Sequence, residues 1–142
     1  MFFRRRKRKD GGAAMVEFAF IMPLLVLLLV GIVELGWGVA QQIDVRHKAR
    51  ETLRLAIVDE PVGEIKARAC ETDIIASSDI TEILLTTGVD QGSKISVVIT
   101  ANIRQLSGLF SAFWGPMPTV SSEVVGRVEQ KSSFVSGDLG TC

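Results

Sequence analysis

The stretch Phe18–Val33, FAFIMPLLVLLLVGIV, carries no charged residue. Between Ala13 and Ala40 only Glu17 and Glu34 interrupt the apolar run. A helix that crosses a bilayer needs about 20 mainly apolar residues. A core helix of a soluble domain shows one apolar stripe, not leucine and valine on every face. The run therefore predicts a membrane-spanning helix over residues 13–40, and that fixes how the rest of the chain is divided.

Charge supplies the orientation. Arg4, Arg5, Arg6, Lys7, Arg8 and Lys9 form a basic block just before the apolar run. From Ala13 onward ten Lys and Arg face fifteen Asp and Glu, so the body is acidic although the whole chain has a formal net charge of zero. Under the positive-inside rule the basic head stays in the cytoplasm and the C-terminal part lies outside. Three segments follow: a cytoplasmic leader at 1–12, the spanning helix at 13–40, and an extracytoplasmic domain at 41–142. An acidic body argues against nucleic acid as a partner, which calls for a basic face on the folded part. A cleaved secretory signal is the competing reading. Gly38–Ala40, GVA, has the small residues of a cleavage site. The apolar run is longer than such signals use, however, and Glu34 sits between it and that site.

No nucleotide, hydrolase or zinc-protease motif occurs, and a single histidine, His47, offers no ligand set. The expectation is a protein that is not an enzyme and holds no cofactor. Cys70 and Cys142 are the two cysteines. On the oxidising side of a membrane they can pair within the chain. Pairing between chains, or two unrelated thiols, remains open at this point.

Beyond the membrane, Gln41–Glu60 keeps helical spacing, with Ile43, Ala49, Leu53, Ala56 and Ile57 on one face. No breaker precedes Pro61, so the spanning helix is expected to run on to that point. Val62–Ala76 reads as a second helix. Ser78–Gly88, SDITEILLTTG, reads as a third, with Asp79 as N-cap and Glu82 completing a capping box. The period changes at Lys94. KISVVITANIR and TVSSEVVGRVEQ alternate as strands and should pair antiparallel across an apolar loop, Leu106–Pro118. Phe110, Phe113 and Trp114 lie in that loop. They either pack under the sheet or form an exposed contact patch. The tail after Gln130 is turn-like. The fold class is α+β: a long N-terminal helix, one or two short helices, then a small antiparallel sheet.

Glu17 is the residue a lone membrane helix least explains. A carboxylate costs on the order of 2.5–3.5 kcal/mol at mid-bilayer, less near the interface. Its surroundings follow an order: basic leader, Gly12, four small or apolar residues, Glu17, Phe18, apolar helix. That order resembles the processing site of the type IV prepilin superfamily. The segment Gly11–Ala56 is more specifically similar to the TadE-like pseudopilins of the tight-adherence (Flp) pilus system. The features that carry this are Glu17–Phe18, Pro23 after FAFIM, and GIVELG at Gly31–Gly36.

The resemblance implies cleavage by a membrane prepilin peptidase between Gly12 and Ala13, on the cytoplasmic side. Glu17 would become the fifth residue of the mature chain. It implies an assembly role for Glu17 and Phe18. The implied partners are other pilins and pseudopilins, the prepilin peptidase, an inner-membrane assembly platform and the lipid bilayer. The implied location is the bacterial inner membrane, with the chain also incorporated in a pilus. The alternative is an unprocessed single-pass membrane protein whose external domain binds a partner.

Overall fold

The computed structural model describes residues 11–76, 79–88, 90–108, 111–112, 115, 118–129, 131, 133 and 136–142. Its elements are α1 (Gly11–Ile57), α2 (Val62–Cys70), β1 (Ile80–Thr87), β2 (Lys94–Asn102), β3 (Thr119–Arg127) and β4 (Gly137–Asp138). The architecture is α+β, as the sequence predicts: a long apolar N-terminal helix, one short helix and a small antiparallel sheet. The chain divides into two units, one ending at Val33 and one running from Glu34 to Cys142.

In the first unit every residue from Gly12 to Leu29 is exposed. The most apolar window of α1 has a mean hydropathy of 2.7 and none of it is buried. Pro23 lies inside the helix. A surface this apolar is at odds with water and suited to lipid or to neighbouring helices.

In the second unit the same helix acquires a face. Val45, Ala49, Leu53 and Ala56 are buried at helical spacing. They join a core with Ile65 and Ala69 of α2, Ile80, Ile83 and Leu85 of β1, and Ile95, Val97, Ile99 and Ala101 of β2. One expected apolar position is displaced. Ile43 is 63% exposed, while Asp44 next to it is buried. The reason is polar. Asp44 Oδ2 accepts hydrogen bonds from the Ile74 and Ile75 amides, both at 3.1 Å, and this sets the rotation of the helix. α1 ends at Ile57, a few residues before Pro61. Asp59 closes the turn with φ of 61°, and its carboxylate accepts from the Ser133 amide and hydroxyl.

α2 is shorter than expected, stopping at Cys70 rather than Ala76. The segment after it instead gives its amides to Asp44. The expected third helix is not one: Ile80–Thr87 is strand β1. Its pairing with β2 shifts register between Ile80 and Glu82. That irregularity puts Ile80 and Ile83 on the same buried side although they are three residues apart, a spacing that imitates a helix. Asp79 is not a cap; its carboxylate lies 3.2 Å from Arg104 Nε.

The sheet order is β3-β2-β1-β4, with every neighbouring pair antiparallel. β2 is the best-covered strand, with Ile95, Val97, Ile99 and Ala101 all fully buried. The β1–β2 turn needs a glycine at position 88, since a Cβ there would stand 2.5 Å from Ser93 Cβ. The tail is less turn-like than expected. Gly137–Asp138 lies against Leu84 and Leu85 as β4. Leu139 N donates to Ile83 O at 2.8 Å, and the Ser136 hydroxyl bridges both backbone groups of Thr87.

A disulfide between Cys70 and Cys142, with Cα atoms 5.7 Å apart, joins the end of α2 to the end of the tail. It closes a loop across 72 positions, for which the chain-entropy model gives about 4 kcal/mol of stabilisation. Cys142→Ser should therefore lower the unfolding free energy of the detergent-solubilised chain by about that amount. Denaturant unfolding with and without reductant measures it. An unchanged midpoint on reduction would show that the link contributes nothing.

Candidate functional site

Two places hold polar groups where an apolar helix would not be expected to carry them. The first is the head of α1. Gly12 and Ala13 are exposed in its opening turns. A Cβ added at Gly12 would meet nothing within 4 Å. Among the described residues there is thus no steric reason for glycine here. Glu17 is exposed on the same helix, and among the described residues it has neither a hydrogen-bond partner nor an ion pair. Phe18 beside it is 59% exposed. Among the described residues the head of α1 therefore presents an unpaired carboxylate, an aromatic ring and a glycine that none of them packs against. The basic leader, Arg4–Lys9, lies outside the described residues.

The second place is in the packed unit. Glu34 is 2% exposed. Its Oε1 accepts from the Leu106 amide at 2.9 Å, and its Oε2 from the Ser107 amide at 3.1 Å and the Ser107 hydroxyl at 2.8 Å. A buried carboxylate is tolerated when donors replace its water, and here three do. Two turns on, Gln41 works in the same way. Its Oε1 accepts from the Arg104 amide at 2.8 Å and its Nε2 donates to the Arg104 carbonyl at 2.9 Å. Together the two side chains take up backbone groups of Arg104–Ser107, where the chain has left β2 and has no strand partner among the described residues. This arrangement ties down the start of the apolar loop.

The loop's aromatic residues, Phe110, Phe113 and Trp114, lie outside the described residues. The described parts show a compact local turn: Ser111 Oγ donates to the Gly108 carbonyl at 2.7 Å and Gly115 N to the Ser111 carbonyl at 3.0 Å.

Further along α1, Lys48 is 5% exposed and its Nζ lies 3.2 Å from Glu51 and 3.7 Å from Asp73. Burial pushes the Glu51 carboxyl up, but the Lys48 hydrogen bond and the charges of Lys48, Arg68 and His47 outweigh it and hold it below its ordinary value. Arg68 brings α2 into this group, with Nε 3.5 Å from Glu51. His47 Nε2 lies 3.3 Å from Glu51 Oε1, one turn away on the same helix.

Sequence reading singled out Glu17 but passed over Glu34, Gln41 and Lys48 as site residues. A signal was available: these three recur at seven-residue intervals, two turns of one helix face. A polar stripe at that spacing marks a line of contact.

Residues 12–54 match the model of a protein family described as TadE-like protein. The match falls within α1 and covers less than half of the chain, so the sheet lies outside it. No curated protein and no solved structure matches the chain.

Glu34→Ala should remove the acceptor from two amides and a hydroxyl. Hydrogen bonds to a charged group contribute about 1.5–3 kcal/mol. The helix itself should not suffer, because alanine is the better helix former. Hydrogen exchange is expected to accelerate at the Leu106 and Ser107 amides while those of β2 stay protected. Unchanged protection at Leu106 and Ser107 would mean the carboxylate is no tether.

Proposed function

Because the helix that opens the chain is TadE-like, we propose that this protein is a minor pseudopilin of a tight-adherence pilus. Its role is structural rather than catalytic. It sits in the bacterial inner membrane with its N-terminus cytoplasmic, residues 13–40 spanning the bilayer and residues 41–142 outside. A prepilin peptidase removes residues 1–12. The observation that carries this reading is Glu17: a carboxylate without a partner among the described residues, five residues after a glycine against which none of them packs.

Removal of the leader turns Ala13 into a free α-amine, whose ordinary pKa is about 7.7–8.0. When helices stack with an axial stagger, that amine meets the Glu17 carboxylate of a neighbour. Two charges that are each unfavourable in an apolar setting are then paired. The glycines support close helix approach as well. Among the described residues a Cβ at Gly31, Gly36 or Gly38 would meet nothing within 4 Å, so these positions leave room for a neighbouring helix to approach. The other reading, an unprocessed membrane protein whose outer domain binds a partner, keeps the same topology and gives Glu17 no role.

The mass of the mature protein from membranes separates these. Ala13 as first residue supports the pseudopilin, retention of the basic head supports the alternative, and Gln41 as first residue supports secretion. Gly12→Val should block shortening, since a peptidase cleft shaped for glycine lacks room for a branched side chain. A Gly12→Val chain that is still shortened would show the site to be elsewhere.

Glu17→Ala should leave membrane insertion and cleavage intact and reduce incorporation into pili, read as the ratio of sheared-pilus to membrane-bound protein. Wild-type incorporation of this variant would leave Glu17 as an interfacial bystander.

A further inference from the structure

β1 and β3 lie differently in the sheet. The outer side of β1 is partly closed: β4 pairs with Leu84 and Leu85, and the strand is irregular between Ile80 and Glu82. β3 is at the other end of the order. All nine of its residues pair with β2 in unbroken register, and among the described residues no strand lies on its far side. It contains no proline and no bulge. Natural edge strands are usually protected by such devices, because a row of unpaired amides and carbonyls accepts any extended chain.

The surroundings of this edge are chemically selective. Arg46 and Arg50, one turn apart on α1, line a groove of about 360 Å³ together with Ser121–Val125 of β3. Both arginines are exposed, and among the described residues neither has an ion-pair partner. The two faces of β3 are distinct. A Cβ at Gly126 would stand 2.8 Å from Ile57 Cδ1 and 3.3 Å from Leu53 Cδ2, so the even-numbered residues face α1. Ser121, Glu123, Val125 and Arg127 face away and are exposed, Val125 to 56%.

We propose that the β3 edge and the Arg46–Arg50 face of α1 form an acceptor groove for an extended acidic segment of another polypeptide, which adds to the sheet as a fifth strand. Backbone hydrogen bonding to β3 supplies affinity, and alternate side chains supply selection. On the helix side the incoming strand places carboxylates against Arg46 and Arg50. On the outer side it places apolar or neutral residues beside Val125, because an acid there would face Glu123. A second copy of this chain fits less well. Pairing β3 with β3 about a twofold axis brings the Arg46 and Arg50 pairs of both copies toward one another, which is a like-charge contact. The inference stands apart from the pseudopilin reading, since it concerns only the domain from Glu34 onward.

The test uses the full chain in detergent micelles and a fluorescent peptide as long as β3 with alternating glutamate and valine. The same peptide with lysine for glutamate, and the same peptide N-methylated at alternate amides, are the controls. The acidic peptide is expected to bind saturably and to raise hydrogen-exchange protection at β3 amides, while both controls bind about tenfold more weakly or not at all. Arg46→Glu with Arg50→Glu should invert the preference between the glutamate and lysine peptides. Arg46→Gln with Arg50→Gln should weaken the glutamate peptide alone, in case reversal disturbs folding. No saturable binding, binding without β3 protection, or equal binding of the N-methylated peptide would each overturn the proposal. So would concentration-dependent self-association that protects β3 without peptide, because the edge would then belong to a second copy.

Discussion

The carboxylate of Glu34 marks where α1 changes its environment. Up to Val33 the helix carries only apolar side chains after Glu17, and none of its most apolar window is buried. At Glu34 a charge is taken out of water and given three donors in exchange. Desolvating a carboxylate is expensive, so such a group is stable only where its donors are held in place. The donors belong to Leu106 and Ser107, just past the end of β2. The helix and the sheet are therefore joined by polar contacts as well as by the apolar core.

Polar contacts of this kind recur along one line of the helix. Gln41 pairs with both backbone groups of Arg104, Asp44 takes the amides of Ile74 and Ile75, and Lys48 reaches Glu51 and Asp73. Gln41 and Asp44 tie the backbone of segments that lack a strand or helix of their own, while Lys48 pairs with two carboxylates, one of them on α1 itself. Buried backbone groups need partners, and irregular segments cannot provide them internally. The helix supplies them from side chains, which is why so many polar residues occupy its inner face. Val45, Ala49, Leu53 and Ala56 supply the apolar contact between them.

The sheet shows the complementary economy. β2 pairs with β3 along its whole length and with β1 over Ile95–Ala101, and its buried residues form the centre of the core. β4, two residues long, is too short to be a stable strand by itself. It is held at Ser136, at Leu139 and, through the tail, at the Cys70–Cys142 disulfide. One edge is thus partly occupied by a tethered tail, and the other is left with charged and apolar side chains facing outward.

The apolar run, the basic block before it and the place of Glu17 are properties of local composition. They determine a long helix, its division from the rest, and the TadE-like match at 12–54, whatever the remainder does. Strands β2 and β3 were equally legible, because unbroken alternation along a half-buried surface has one period only. Tertiary structure decided the rest. β1 was misread because its irregularity between Ile80 and Glu82 brings two isoleucines onto one side at helical spacing, and only pairing with β2 reveals the strand. α2 ends early and Ile43 turns outward because Asp44 takes distant amides, a preference no local window contains. The tail becomes β4 for the same reason: Gly137–Asp138 has no strand propensity, and its backbone finds partners only after β1 has been placed beside it. Periodicity reports which side of an element is apolar; long-range hydrogen bonds decide which element forms when that signal is short or interrupted.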